Sequence, residues 1–398
     1  MSIINICLYL YLLLKPFYLK SSGTIQISDV FIFIAFIFTI ASSVKTEGKE
    51  KINSNQKILL LFLLCVVFIN TIYYGIYSDI SFLKSILYYA FLFIGIFTFS
   101  NKIQDYKFLK HYYVIFIIDL LIQIIIYIIG IGRYYGSTRY MGTFNDPNQF
   151  AFFITLAIMY IYTLENILQI KRRAWYAYAT GLVLILLSSS TGMILAIVTF
   201  LAIQVICNIN KVKKLITKKH NKKIIYISII ICLILITTIV FCLFICDRNY
   251  KLKEIIESRI ESIVNSQIGE RIIEKFNKLK EKDKFLEDRH LDKFFDNLHY
   301  ILYGAGEGRW YRFGDNEGEI HSTLPSLLFC YGILPTCILA LWIYLNLKGL
   351  NLKELSVYIA ILIESFTLIN QRQLLLWIII ILANLYKKEN KFKKDEGT

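Results

Sequence analysis

An all-α membrane protein of about twelve transmembrane helices, with one long, partly helical loop outside the membrane between the ninth and tenth spans, is the fold class this sequence predicts. Three observations predict it. Of 398 residues, 56% are apolar and 18% charged, whereas a soluble domain carries about 25% charge. The stretches 58–70, 112–129, 224–246 and 374–385 hold few or no charges. A bilayer core takes about 20 apolar residues as helix, and a helix satisfies its own backbone groups where lipid offers no partner. Finally, the basic residues fall in alternate connections, as they do when lysine and arginine stay on the cytoplasmic side.

In chain order the apolar segments run roughly over 3–14, 29–44, 58–75, 83–99, 111–131, 149–165, 175–188, 190–207, 224–246, 323–346, 354–370 and 374–386. The first lacks a basic leader and a small-residue cleavage site, so it reads as a span and not as a signal peptide. The seventh and eighth meet at Ser188, Ser189, Ser190, Thr191 and Gly192, a predicted helix break. The chain thus divides into helices over 1–246, an extracytoplasmic loop over 247–322, helices over 323–386 and a basic tail over 387–398. Tyrosine and phenylalanine crowd the segment ends, where amphipathic rings favour the interface.

Placing the amino terminus in the cytoplasm puts Lys45, Lys49, Lys51, Lys57, Lys102, Lys107, Lys110, Lys171, Arg172, Arg173, seven lysines between 211 and 223, Lys348, Lys353 and five tail lysines on one side. The short opposite connections hold Lys15, Lys20, Lys84, Arg133, Arg139 and Arg372. Both termini are therefore expected in the cytoplasm, and the loop over 247–322 escapes the rule through its length. The net charge of +15 reads as topology and contact with anionic lipid, not as a nucleic-acid surface. Eight cysteines occur, and most fall within or beside apolar segments without a CxxC pair. They read as small buried hydrophobes, and neither a zinc site nor a disulfide framework is indicated.

Three segments depart from plain apolar filler. In the long loop, Leu252, Ile256, Ile260, Ile263, Ile272, Phe276 and Leu279 follow helical spacing, which suits a solvated helical cap or a lid. Beyond them lie Gly304, Gly306, Gly308 and Gly314 among Arg309, Trp310, Tyr311 and Arg312. No strand precedes these glycines, so a dinucleotide site is not expected. The outer connection over 133–151 combines turn and helix-start chemistry at Asn145–Asn148 with Arg133 and Arg139. Arginine there offers a planar fork for phosphate oxygens on a face that otherwise avoids positive charge. The third segment, Glu319-Ile320-His321-Ser322, sets a histidine beside carboxylates at the mouth of the tenth span. Of the other histidines, His111 and His220 read as interface residues, and His290 and His299 as solvated loop residues.

Taken together these segments resemble the O-antigen polymerase and ligase superfamily (Wzy-type and WaaL-type proteins) over most of the chain. The resemblance rests on Lys15-Pro16-Phe17, Ser22-Gly23 and Ile27-Ser28-Asp29 in the first outer loop. It rests further on Arg139-x2-Gly-Thr-Phe-Asn-Asp-Pro-Asn148-Gln-Phe-Ala, on Ser189-Ser190-Thr191-Gly192 at a helix break, and on Gly304-x-Gly306-x-Gly308. Finally, His321-Ser322 is followed nine residues on by Gly332. The resemblance implies a GT-C-like glycosyltransferase acting at the outer face of the cytoplasmic membrane. Its donor would be a polyprenyl-diphosphate-linked glycan, and the product a polymer of repeat units for capsule, O-antigen or exopolysaccharide. An O-antigen ligase moving glycan to a final acceptor is the alternative within the family.

The resemblance also implies roles. Arg139 and Arg289 are expected to stabilise the diphosphate leaving group, with Arg271 competing for the second place. His321 is expected to orient or deprotonate the acceptor hydroxyl, with Glu319 behind it. Arg133, Asn145, Asn148, Arg309 and Arg312 are expected to bind substrate. No cofactor and no metal are implied, since arginine alone can neutralise a lipid diphosphate. Expected partners are the lipid-linked glycan, membrane lipid, a chain-length regulator and a flippase. The competing class is a lipid-linked oligosaccharide flippase, which would carry internal repeats and ionisable residues near the midplane. No repeat is evident, and Asp119 and Glu364 are the clearest ionisable residues within spans.

Overall fold

Helix ends in this chain are written by short polar residues flanking apolar runs. The computed structural model describes residues 2–20, 24–45, 53–136, 138–170, 173–217, 289–314 and 318–395. Arg271, the helical spacing from Leu252 to Leu279, the expected ninth span over 224–246, Asp315 and Glu317 lie outside the described residues. The elements are α1 (Ile3–Leu14), α2 (Ile27–Lys45), α3 (Ser54–Tyr77), α4 (Ile80–Ser100), α5 (Tyr106–Ile129), β1 (Arg133–Tyr135), β2 (Arg139–Gly142), α6 (Pro147–Ile167), α7 (Trp175–Ser188) and α8 (Thr191–Thr217). They continue as α9 (Asp292–Asp296), α10 (Tyr300–Tyr303), a single 3-10 turn (Trp310–Phe313), α11 (Thr323–Tyr331), α12 (Ile333–Leu347), α13 (Leu352–Ser365) and α14 (Leu374–Asp395).

The caps follow from the sequence. Asn53 and Gln56 form a reciprocal capping box at α3, as do Asn351 and Glu354 at α13. Asp79 and Asp105 cap α4 and α5 by accepting from backbone N–H groups of the first turn. Each cap satisfies donors that apolar surroundings would leave without a partner. Gly130, at φ 78°, closes α5.

Among the described residues, five helices are long and apolar enough to cross a membrane: Ser54–Tyr77, Ile80–Ser100, Tyr106–Ile129, Pro147–Ile167 and the Thr191–Asn208 part of α8. Shorter apolar helices are Ile3–Leu14, Ile27–Ser42, Trp175–Ser188, Ile333–Leu347 and Leu374–Tyr386. The protein is therefore an all-α, membrane-embedded one. The expected tenth span over 323–346 is not a single helix. It breaks at Gly332, whose φ is 74°, into α11 and α12. The reason is a close backbone approach: a Cβ on Gly332 would stand 2.8 Å from the Gly304 nitrogen and 3.0 Å from the Leu302 carbonyl oxygen. The predicted break between the seventh and eighth spans is present, with Ser189 in the left-handed region at φ 52°.

Helix α6 is the axis of the bundle. Every residue from Phe150 to Glu165 is buried, and α5, α7, α8, α13 and α14 pack around it. Close approach to α7 is permitted by Gly181, where a Cβ would meet Ile158 at 2.6 Å. By contrast α3 buries only Gln56, Leu59, Phe62, Val66 and Asn70, a one-sided stripe at the three-to-four spacing of an amphipathic helix. At the carboxyl end of α6, buried Glu165 accepts from the hydroxyls of Tyr113 at 3.2 Å and Tyr178 at 2.7 Å and from the Ala174 N–H at 2.8 Å. That network is fully explained as a structural junction between α5, α6 and α7. The amino end of α6 is where the other connections meet.

Candidate functional site

The connection preceding α6 is a short antiparallel hairpin, β1 against β2, laid across one end of the bundle. Tyr140 and Phe144 anchor it, both buried and both in edge contact with Phe150. Asp146 caps α6 by accepting from the N–H groups of Asn148 at 2.8 Å and Gln149 at 3.0 Å, and Pro147 occupies the first helical position. Proline costs nothing there, because its missing N–H would have had no helical partner.

Arg133 and Asn145 tie this hairpin to the connection after α1. Arg133 donates to the Tyr18 carbonyl at 3.2 Å and to Asn145 Oδ1 at 2.6 Å. Asn145 Nδ2 donates to the Lys20 carbonyl at 2.6 Å. Arg139 and Asn148 instead reach the break between α7 and α8. Arg139 Nε donates to the Ser188 carbonyl at 3.1 Å and its Nη2 to Asn148 Oδ1 at 2.8 Å, an oxygen that also accepts from Ser190 Oγ at 3.1 Å. The guanidinium is half-buried and uses two edges of its fork at once.

The glycine-rich loop enters the bundle beside α3, α4 and α11. The Tyr73 hydroxyl donates to the Gly304 carbonyl at 2.8 Å, Ser85 Oγ to the Glu307 carbonyl at 2.7 Å, and the Glu307 N–H to Asn70 Oδ1 at 2.8 Å. Ala305 and Gly306 donate their N–H groups to the Phe329 and Cys330 carbonyls, each at 2.8 Å. Gly304 and Gly306 take φ of 83° and 69°, and a Cβ on Gly304 would stand 2.6 Å from the Cys330 carbonyl oxygen. Arg309 lies 4.9 Å from the Tyr77 ring and 5.0 Å from the Tyr311 ring. Arg312 lies 4.8 Å from Tyr73 and 4.4 Å from Phe313, and donates to the carbonyls of Ala305 and Gly306. Both arginines, expected to meet substrate, are thus held among aromatic rings and pin the glycine loop.

This loop carries a residue that sequence reasoning passed over. Glu307 is buried, and its carboxylate accepts from the Tyr331 hydroxyl and from Arg372, whose Nη2 lies 2.5 Å from Glu307 Oε1. The same guanidinium bonds Glu319 through Nη1 at 3.1 Å and Nη2 at 2.6 Å, and lies 5.2 Å from the Tyr88 ring. Arg372 comes from the connection between α13 and α14, which is fixed to the start of α11. There the Thr323 N–H donates to the Leu368 carbonyl at 3.0 Å and Ser322 Oγ to the Phe366 carbonyl at 2.7 Å. The signal for Arg372 was available: it sits, like Arg133 and Arg139, in one of the short connections that the lysine pattern of the sequence sets opposite the basic ones.

His321 follows Glu319 directly across from Arg289 and His290. Its backbone N–H donates to the Arg289 carbonyl at 2.9 Å, and Arg289 donates to the Thr367 carbonyl. Thr367 in turn packs on Gly192 at the start of α8, where a Cβ would clash with its side chain. The rings of His290 and His321 are 5.3 Å apart, centre to centre. His321 reaches solvent, yet the protein around it thins its hydration and pushes its pKa below the ordinary imidazole value. The neighbouring charge of His290 pushes the same way and Arg289 adds to it, while Glu319 and Asp146 oppose. Because Thr367, which Arg289 bonds, packs on Gly192 while Arg139 bonds the Ser188 carbonyl, the His321 segment and the amino end of α6 meet the same helix break. Arg139, Asn148, Arg289, Glu319 and His321, drawn from widely separated segments, therefore gather at one end of the bundle. Arg133 and Asn145 lie on its rim. Among the described residues, no three His, Cys, Asp or Glu side chains converge as metal ligands would.

No family model, no curated protein and no solved structure matches this chain.

Proposed function

We propose that the protein is a membrane glycosyltransferase that polymerises polyprenyl-diphosphate-linked repeat units at the outer face of the cytoplasmic membrane. One observation carries this reading: Arg139, at the amino end of the axial helix, bonds the α7–α8 break, and Thr367, which holds Arg289 beside His321, packs on that same break of a membrane-embedded bundle. A lipid diphosphate needs forked cations where its headgroup leaves the bilayer, and an acceptor hydroxyl needs a neutral base beside it. In the transfer, the acceptor oxygen forms a bond to the anomeric carbon as the bond from that carbon to the diphosphate oxygen breaks. The electron pair leaves with the diphosphate, where Arg139 and Arg289 stabilise the growing charge. The hydroxyl proton passes to His321.

Reconstitution tests this directly. Purified protein in liposomes containing lipid-linked repeat units should yield a ladder of extended glycans. Correctly inserted protein that leaves single repeats unextended would sink the proposal. A second reading, transport of the lipid-linked glycan, draws on Asp119 and Glu364. Both are buried in helices, and neither Asp119 oxygen has a hydrogen-bond partner among the described residues. Movement of labelled glycan across the same liposomes without chain growth would favour that reading.

Two further outcomes are expected. Arg139→Lys should damage transfer nearly as much as Arg139→Ala, because a lysine ammonium cannot bond the Ser188 carbonyl and Asn148 in two directions and still present a fork. Transfer rates compared per unit of inserted protein would check this, and full activity in the lysine variant would reduce Arg139 to a point charge. The twelve-span topology with both termini cytoplasmic belongs to the same proposal. In a cysteine-free background, an impermeant maleimide should label Tyr135→Cys in intact cells and should not label Lys213→Cys until the cells are broken. The reverse pattern would invert the whole arrangement.

A further inference from the structure

His290 was expected to be an ordinary solvated loop residue, and its surroundings say otherwise. It is half-buried, and its ring is seated on the main chain of Gly318: a Cβ at that position would meet His290 Nε2 at 2.1 Å. Gly318 is itself held, because the buried Lys293 donates to its carbonyl at 2.7 Å. On the other side, the Arg289 carbonyl accepts from the His321 N–H at 2.9 Å. The backbone on both sides is therefore fixed, and the 5.3 Å spacing of the two rings is a product of that scaffold.

We propose that His290 is the positioning partner of His321, the two imidazoles forming a coupled pair that takes up a single proton between them. The inference rests on the transfer reaction for its chemical meaning, but not for its test. Two imidazolium ions so close repel each other, so the second proton enters only at lower pH, and the pair titrates in two separated steps. The other charges acting on His321 are Arg289, next to His290 in the chain, Glu319 in the segment leading to α11, and Asp146 at the amino end of α6; on the His290 side, Lys293 is bonded to the Gly318 carbonyl. Arg372, from the connection between α13 and α14, holds Glu319. A proton released by the acceptor hydroxyl would enter at His321 and be shared with His290 before leaving to water. His321 would thereby be returned to its neutral form for the next transfer.

The test needs no substrate. The chain has five histidines, so histidine-selective carbon-13 labelling in lipid nanodiscs resolves each titration, with single His→Gln variants assigning them. In His290→Gln the His321 step should rise by about one pH unit, because the repelling neighbour is gone. In His290→Lys, which keeps a charge through neutral pH, it should fall by about one unit instead. Opposite shifts from two variants of similar size are not produced by loosened packing. An unchanged His321 titration in either variant, or shifts of the same sign in both, would overturn the pairing. The acid limb of the transfer rate should move with the His321 step in each variant, and a limb that stays in place while the titration moves would remove the pair from the reaction. If the titrations shift as expected while wild-type protein transfers nothing, the proposed function fails and the pairing stands.

Discussion

His321→Ala is expected to slow glycan transfer by roughly 10²–10⁴-fold, the usual contribution of a positioned base, while leaving the protein inserted and folded. Single repeat units on the lipid carrier should accumulate. The fold is expected to survive because the side chain reaches solvent and its backbone bond to Arg289 does not depend on the ring. The pH dependence has a definite sign. Partial loss of hydration, and then His290, lower the His321 pKa, so the neutral base persists into mildly acidic solution. The acid limb of the rate should therefore lie below the ordinary imidazole value of about 6.5. Reconstituted transfer, measured per unit of inserted protein across pH, checks both statements. Near-normal specific activity in the alanine variant would remove His321 from the chemistry.

Arg372→Met is expected to cost about 3–5 kcal/mol, the usual penalty for leaving a buried charge without its partner. Set against a total stability of about 5–15 kcal/mol, that should show as poor yield and early unfolding. The Glu307 side chain is fully enclosed, and Arg372 is the cation that bonds it. The Tyr331 hydroxyl bond stabilises the carboxylate but brings no charge. Glu319 retains access to water and would suffer less. Removing both charges in Glu307→Gln with Arg372→Met should therefore be milder than Arg372→Met alone. Thermal unfolding of the purified proteins in one detergent compares them. An Arg372→Met protein that melts with the parent would mean that Glu307 is held neutral and the ion pair contributes nothing.

The helices of this fold were largely legible as apolar runs bounded by Asn53, Asp79, Asp105 and Asn351, because lipid leaves a backbone few other solutions. The split at Gly332 was not, since Tyr331-Gly332-Ile333 interrupts no hydrophobic pattern. Only the approach of Gly304 from another part of the chain explains it. The same division holds for the candidate site. Arg139, Asn148 and His321 stood out by residue type and sidedness. Glu307 did not, and Arg372 stood out by sidedness alone, because the meaning of both lies in a pairing across 65 positions of sequence that no local spacing reveals. For Arg309 and Arg312 the residue type was legible and the setting was not: between them they lie against the rings of Tyr73, Tyr77, Tyr311 and Phe313, which come from separate parts of the chain.

The enclosure of α6 carries a consequence for how freely this sequence can drift. A helix buried along one stripe, such as α3, has a permissive side, where one apolar residue replaces another and nothing notices. In a saturation library, survival along α3 should rise and fall with the helical turn, with troughs at Leu59, Phe62, Val66 and Asn70. Along α6 no such rhythm is possible, because each residue from Phe150 to Glu165 meets protein. Its tolerance should be flat and low, and changes there should be viable chiefly in company, as when a larger side chain at Ile158 is matched by repacking beside Gly181. Over long divergence, then, α3 can blur into generic hydrophobicity while α6 keeps a recognisable spelling, which makes the axial helix the stretch by which distant kin of this chain are best sought.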